Sequence, residues 1–229
     1  MLVGGFIWLP AGASVALSLF AWDGIGGLDS MRFVGLDQYR DLLTVHPTFW
    51  RALGNNLIWL AGLALVATPL GVLFAVLLDR RLRGSWFYES ALYLPVVLSL
   101  ALVGFIWQLQ YAPEQGFLNQ LLGTHRQDNL IDWLGDRQLN IWAALVAGGW
   151  RHVGYITLLY LAGLRSVDPT LREAAAMDGA SEWQTFRRVT FPVLRPVNIV
   201  VVVVTTIEAL RAFDIPWAVS YTHLTLPTN

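Results

Sequence analysis

Three charged side chains lie close together in an apolar stretch near the end of the chain. Glu208, Arg211 and Asp214 follow one another at intervals of three residues, a spacing that places them on one arc of a helix and allows glutamate–arginine and arginine–aspartate pairs. An unpaired charge at the centre of a membrane costs about 2.5–3.5 kcal/mol on insertion scales. We therefore expect these groups to face protein or water, either along a solute path or as a structural ion pair at a subunit interface.

A second polar site interrupts an earlier apolar stretch. Arg151 and His152 stand near its middle, shortly after the glycine pair Gly148 and Gly149. Glycines are common at helix kinks, so this helix could bend there and open a cavity. The same two interpretations, solute path or structural pairing, apply to Arg151.

A polar segment of residues 165–196 separates two long apolar runs, and its first part predicts a short helix followed by a turn. Asp168 can cap the free N–H groups at the helix start, and Pro169 suits the first helical position. Gly179 stands where the helix must end, in a left-handed conformation that glycine adopts without strain.

A second short helix is predicted directly after this turn. Ser181 is its expected N-cap, and Gln184 completes the pattern of a capping box. Pro192 and Pro196 are expected to end this helix before the last apolar run. The 165–196 segment is therefore predicted to form a helix–turn–helix unit.

The sequence offers no set of residues for covalent chemistry. It contains no cysteine and four scattered histidines, which excludes disulfides and thiolate metal sites. It also lacks the phosphate-binding pattern G-x-x-x-x-G-K-[ST] and the catalytic patterns G-x-S-x-G and H-E-x-x-H. We expect no catalytic residues, no cofactor and no metal site.

Composition indicates that membrane helices position these residues. The chain is 55% hydrophobic and 14% charged, whereas soluble domains are about 45–50% apolar and about 25% charged. Backbone groups in lipid must be bonded internally, so spanning segments are helices. Five stretches have roughly the 20 apolar residues that a span needs: 2–22, 56–78, 91–107, 139–164 and 197–217. The predicted fold class is all-α, a polytopic transmembrane helical bundle.

The arginines predict which loops face the cytoplasm. Eight lie in the loops after the second and fourth apolar stretches, against five in the longer opposite loops. Cytoplasmic loops carry the excess of positive charge. The N-terminus and the 165–196 segment are therefore expected in the cytoplasm.

Two sequence patterns together resemble one family. The spacing E-A-A-x3-G-x9-V-x-F-P, from Glu173 to Pro192, resembles the cytoplasmic coupling loop of bacterial ATP-binding-cassette (ABC) importer permeases. Residues 33–40, F-V-G-L-D-Q-Y-R, resemble a segment of the sugar permeases in that family. Without the pattern from Glu173 to Pro192, residues 33–40 could equally be an ordinary loop with a short amphipathic helix. The 165–196 segment could likewise be an amphipathic helix lying on lipid headgroups.

The resemblance implies a type I ABC importer permease (MetI-like) fold over residues 1–219, with five spans present and a sixth missing. It implies a multi-pass subunit of the bacterial cytoplasmic membrane that moves a sugar or related polyol inward by alternating access. The implied partners are ATPase subunits that hydrolyse ATP, a second permease subunit and an extracytoplasmic solute-binding protein, with no nucleic acid. The residues implied in coupling to the ATPase are Glu173, expected to anchor the loop through arginine pairs, and Ala174, Ala175, Asp178, Gly179 and Ala180.

An alternative function is a stand-alone secondary transporter that uses the charges Glu208, Arg211 and Asp214. Such transporters are commonly built from internal repeats, and no repeat is visible in the sequence. At the ends of the chain, the apolar start without a charged leader suggests that the natural N-terminus is clipped. Residues 220–229 fit neither a helix nor the family pattern and are expected not to be native.

Overall fold

The computed structural model describes residues 4–22, 27, 30–80, 84–124, 129–136 and 138–211. The chain divides into two compact units, Met1–Asn55 and Asn56–Asn229. Asp214 and the tail of residues 220–229 lie outside the described residues, so their predictions stay predictions.

In the first unit, a π-helical turn, Gly4–Trp8, leads into α1, Leu9–Leu17. The predicted helix over 2–22 is therefore wrong at its C-terminal end. Beyond it, β1 (Phe20–Ala21) pairs antiparallel with β2 (Arg32–Phe33). The strand pairing satisfies the backbone groups that a longer helix would have bonded internally.

The segment 33–40 forms a turn and several contacts within the first unit. The ring of Phe33 meets Phe20 edge-on, with centroids 5.2 Å apart, and Gly35 makes the following turn with a φ of +58°. The next helix, α2, covers Asp37–Thr44. Its Gln38 side chain donates to the carbonyl of Phe20 at 2.7 Å. The pattern that resembles sugar permeases thus specifies a turn and its contacts within this unit.

One long helix comes next along the chain. It consists of α3 (Pro47–Gly62), a π-helical stretch (Leu63–Ala67) and α4 (Thr68–Asp79). Its continuous part, Phe49–Asp79, has 31 residues and is about 46 Å long, more than the hydrocarbon core of about 30 Å. This helix contains the predicted span 56–78.

The predicted span 91–107 is wrong as a single straight helix. The chain forms α5 (Ser85–Val97) and α6 (Leu100–Tyr111), bent by 106° at the break. Leu98 and Ser99 have extended backbone, and the Ser99 hydroxyl accepts a hydrogen bond from the Leu102 N–H. Ser99 therefore starts a new helix by capping it, a local role that apolar composition does not reveal.

A buried asparagine organises the connection between α6 and the next long helix. Asn119, in α7 (Phe117–Leu122), is fully buried. Its amide donates to the carbonyls of Pro113 and Ile131, and its oxygen accepts from the Trp133 indole at 2.8 Å. These bonds satisfy the buried side chain and fix the connection.

The central helix of the second unit is α8, Asn140–Ser166, with 27 residues. It packs against α4, α5, α6 and α12. It runs without interruption through Gly148 and Gly149, so the helix is not broken where a kink was considered. Glycines let its neighbours approach closely: a Cβ at Gly154 would lie 2.2 Å from the Leu92 carbonyl oxygen. Such small residues are typical of membrane helix interfaces.

The last described elements follow α8. They are α9 (Pro169–Met177), α10 (Glu182–Thr185), a π-helical stretch (Phe186–Thr190), α11 (Phe191–Val193) and α12 (Arg195–Leu210). Among the described residues, one helix is long and apolar enough to cross a membrane, or up to three if the bent pairs α5–α6 and α10–α12 each form one span. Helix α8, with 27 residues, is long enough to span a membrane, but it is not apolar enough to be counted among these spans.

Candidate functional site

The first helix of the 165–196 segment begins as predicted. The Asp168 carboxylate accepts a hydrogen bond from the Thr170 N–H at 2.9 Å, and Pro169 occupies the first turn of α9. This bond lowers the pKa of Asp168 below its ordinary value. The cap therefore stabilises the helix fully above the unfolded pKa and loses its effect as pH falls through the lowered folded pKa.

The turn at Gly179 is confirmed. Gly179 has a φ of +78°, and the N–H groups of Gly179 and Ala180 bond the carbonyls of Ala176 and Ala175 at 3.0 Å. No atom lies within 4 Å of the position that a Cβ at Gly179 would take. The backbone conformation, not lack of space, therefore requires glycine here.

The predicted capping box is also confirmed. The Gln184 N–H donates to the Ser181 hydroxyl at 3.3 Å, and the Ser181 N–H donates to the Gln184 side chain at 2.8 Å. As predicted, the helix ends before the last apolar run, although it passes through Pro192, which lies in the first turn of α11. The break falls at Leu194, and Pro196 lies in the first turn of α12, which begins at Arg195.

The turn between α9 and α10 presents a surface to solvent. Met177 is 89% exposed and Trp183 is 66% exposed, while Glu173, Ala174, Asp178 and Gly179 are exposed as well. Ala175 is buried and Ala180 is half-buried. The candidate coupling residues therefore divide into an exposed group at the turn and Ala175, which packs inward.

Arginines fasten the segment to the rest of the second unit. Arg172 Nη1 lies 2.6 Å from Asp79 Oδ2, and its Nη2 donates to the Leu164 carbonyl at 3.2 Å. Arg165 pairs with Glu89 at 2.6 Å. Glu173, expected to anchor the segment through arginine pairs, makes no ion pair within the described part of the chain. The anchoring charge is the neighbouring Arg172, which the sequence did not single out.

Of the pairs that the sequence spacing allows, the one between Glu208 and Arg211 does not form in the described part of the chain. Helix α12 ends at Leu210, and Arg211 forms its C-cap with a φ of −92° and a ψ of 15°. Because Arg211 leaves the helical path and is exposed while Glu208 is half-buried, the two side chains form no salt bridge. The structure does not bring these charges together as a pair.

A polar cluster crosses the centre of α8. His152 is buried, and its Nε2 lies 3.1 Å from the Thr205 hydroxyl of α12 and 3.4 Å from the Thr68 hydroxyl of α4. Beside it, the buried Nε of Arg151 has no hydrogen-bond partner among the described residues. Sequence reasoning missed both threonines, whose signal was a hydroxyl within an apolar helix.

A second interhelical bond lies further along α8. The Tyr160 hydroxyl donates to the Asn198 side chain at 2.8 Å, and Asn198 donates to the Phe191 carbonyl at 3.1 Å. These bonds hold α12 to α8 and to the end of the 165–196 segment. No group of three or more potential metal ligands occurs among the residues that the structure describes.

The fold and site define a polytopic membrane protein with an exposed helix–turn–helix fastened to its spanning helices. Residues 67–219 match the family described as the binding-protein-dependent transport system inner membrane component, and the chain belongs to this family. It is a permease subunit of an ABC importer, located in the membrane. The resemblance seen in the sequence is thereby confirmed, and the family favours an ABC importer over a secondary transporter.

Named relatives agree with the family. The chain is 35% identical to YurN of Bacillus subtilis, named a probable ABC transporter permease, over 93% of this chain and 73% of YurN. It is 32% identical to the trehalose/maltose transport system permease MalF of Thermococcus litoralis, covering 92% of this chain and 70% of MalF.

A solved structure shows the same fold. It is that of a bacterial ABC transporter involved in the import of the acidic polysaccharide alginate. The two structures superpose with a TM-score of 0.73 and 22% identity, over 92% of this chain and 70% of the transporter chain.

Proposed function

We propose that this permease imports a sugar or related polyol. The support comes from relatives whose names specify sugars. One is the xylose/arabinose import permease XacH of Haloferax volcanii, 33% identical over 90% of this chain and 64% of XacH. The permeases named for trehalose/maltose and for lactose are 32% and 30% identical to this chain.

ATP binding and hydrolysis take place on separate ATPase subunits in this proposal. A second permease subunit completes the pathway, and an extracytoplasmic solute-binding protein delivers the substrate. Closure of the ATPase subunits moves the 165–196 segment, and the helices attached to it then expose the substrate cavity to the other side of the membrane.

One observation carries this mechanism: the 165–196 segment is exposed at its turn and fastened by charge at its base. The turn offers Met177 and Gly179 to a partner groove, a common way for a helix to dock. At the base, Arg172 bonds Asp79 of α4 and Leu164 of α8. In this proposal, a displacement of the turn is therefore transmitted directly to α4 and α8.

The exposed coupling residues are Glu173, Ala174, Asp178 and Gly179. For the solute path, Arg151 is a candidate, because it lies near the middle of α8 and its buried Nε has no acceptor among the described residues. A donor left unpaired in a membrane is costly, and a sugar hydroxyl would satisfy it in a conformation that opens this site. Glu208 remains a candidate as a half-buried carboxylate, with Arg211 and Asp214 following it.

The proposed topology places the N-terminus and the 165–196 segment in the cytoplasm. Because the chain has no cysteine, single-cysteine variants test this directly. In the permease expressed without its ATPase, Met177→Cys should react with a membrane-impermeant maleimide only in inside-out vesicles. Gln115→Cys, an exposed position in the loop after α6, is the matched control and should react only in right-side-out vesicles. The reverse pattern would contradict the topology.

The test of the energy source uses the assembled transporter. Sugar uptake should stop when the phosphate-binding lysine of the ATPase subunit is replaced by alanine, while the complex still assembles. Uptake that persists in this variant and follows a proton or sodium gradient would instead identify a secondary transporter. Arg151→Gln should raise the sugar concentration needed for half-maximal uptake without changing the amount of complex.

A further inference from the structure

An apolar groove runs along one side of α4 in the second unit. Val72, Leu73, Val76 and Leu77 form its α4 wall, and Trp183 and Phe186 form part of the opposite wall. The rings of Trp183 and Phe186 are stacked with centroids 5.9 Å apart. Leu73 and Leu77 remain partly exposed, so the groove opens to the surface along an apolar edge.

The length of the groove suits an acyl chain of one leaflet. It extends along α4 from Thr68 to Arg80, about 18 Å at 1.5 Å per residue. This is close to the depth of one leaflet, about half of a 30 Å hydrocarbon core.

The groove also follows the direction in which lipid chains lie. It runs along the axis of a helix that is long and apolar enough to cross a membrane, so an acyl chain in the same leaflet would lie parallel to it. Protein grooves that bind a peptide strand offer free backbone groups. Side chains line this groove, and most of them are apolar.

One end of the groove is charged. Arg80, directly after α4, pairs with Glu182 at the start of α10, and both side chains remain more than half exposed. A guanidinium has five N–H donors, so Arg80 retains donors for a second anion. Glu182 likewise retains a carboxylate oxygen for a cationic donor. The pair can thus receive a phosphate on one side and a primary ammonium on the other.

We propose that this groove binds one phospholipid with a primary ammonium headgroup, such as phosphatidylethanolamine. An acyl chain fills the apolar part, the phosphate bonds Arg80 and the ammonium bonds Glu182. Trp183, beside the charged end, lies where amphipathic rings are common at the membrane surface. The proposal does not depend on which solute is transported.

Native mass spectrometry of the full chain in detergent tests the proposal. The wild type should retain one phosphatidylethanolamine in preference to phosphatidylcholine, whose quaternary ammonium donates no hydrogen bond. Arg80→Gln should weaken retention about tenfold, the value of one charge-assisted hydrogen bond. Glu182→Gln should remove the preference for the primary ammonium while phosphatidylglycerol still binds.

Two tryptophan substitutions on the same long helix provide a matched pair. Leu73→Trp fills the groove and should abolish retention of the lipid. Leu65→Trp adds the same ring at a 75% exposed position, outside the groove, and should leave retention unchanged. This pair tests the groove even if the Arg80 variant folds poorly. Equal retention in all variants and for all headgroups would overturn the proposal.

A photoreactive amino acid at Leu73 identifies the occupant in native membranes. Cross-linking to a phospholipid, detected by mass spectrometry of the adduct, would support the proposal. Cross-linking to a protein chain would overturn it and assign the groove to a partner subunit.

Discussion

Arg172 Nη1 lies 2.6 Å from Asp79 Oδ2, joining residues 93 positions apart in the sequence. The same guanidinium also donates to the carbonyl of Leu164 near the end of α8. Arg172 therefore connects α9 to the C-terminal ends of both α4 and α8. In the proposed mechanism, this connection transmits a displacement of the exposed turn to the membrane helices.

Breaking this connection should uncouple transport more than it destabilises the protein. We expect Arg172→Ala to lower sugar uptake several-fold while membrane abundance changes little. In a double-mutant cycle with Asp79→Ala, the coupling energy in thermal unfolding should be about 1 kcal/mol, because the pair is only partly buried. Additive effects of Arg172 and Asp79 would contradict the proposed connection.

The effect of a substitution at Gly179 should depend on whether the new residue can adopt a positive φ, and not on the size of its side chain. Gly179→Val should strain the turn by about 1–2 kcal/mol, because branched residues resist positive φ. Gly179→Asn should be nearly neutral, since asparagine adopts the left-handed conformation more readily. Co-purification of the ATPase and membrane abundance are the measurements. Normal ATPase binding and uptake in the valine variant would show that this turn has no part in coupling.

Glu208 and Arg211 should behave as independent residues. Since they form no salt bridge, the effects of Glu208→Gln and Arg211→Gln on uptake should add within about 0.5 kcal/mol. If Glu208 lines the solute path, Glu208→Gln alters uptake while assembly with the ATPase stays intact. A strong rescue of assembly in the double variant would restore the structural-pair interpretation.

The close approach of α5 and α8 should depend on Gly154. Gly154→Ala places a methyl group 2.2 Å from the Leu92 carbonyl oxygen and should cost about 1–3 kcal/mol through overpacking. Gly149→Ala, on the same helix, meets only Ala67 at 4.0 Å and is the matched control. Thermal stability in detergent should fall for the first variant alone, and equal stability of both would contradict this packing.

The sequence by itself determined the family, the helical class and the local form of the 165–196 segment. The Asp168 cap, the turn at Gly179 and the Ser181–Gln184 capping box follow from residues two to five positions apart. Such bonds form between neighbours in the chain, so residue types and spacing specify them before any tertiary contact exists.

Tertiary structure decided which distant residues meet. The bond between His152 and Thr205 joins positions 53 apart, and that between Arg172 and Asp79 joins positions 93 apart. Similarly, the break at Ser99 separates two helices in a stretch whose composition resembles one span. Helix length and apolarity indicate that segments enter a membrane, but the packing of one helix on another sets their bends and polar contacts. The groove along α4 depends on the same packing, because its two walls come from segments about 100 residues apart.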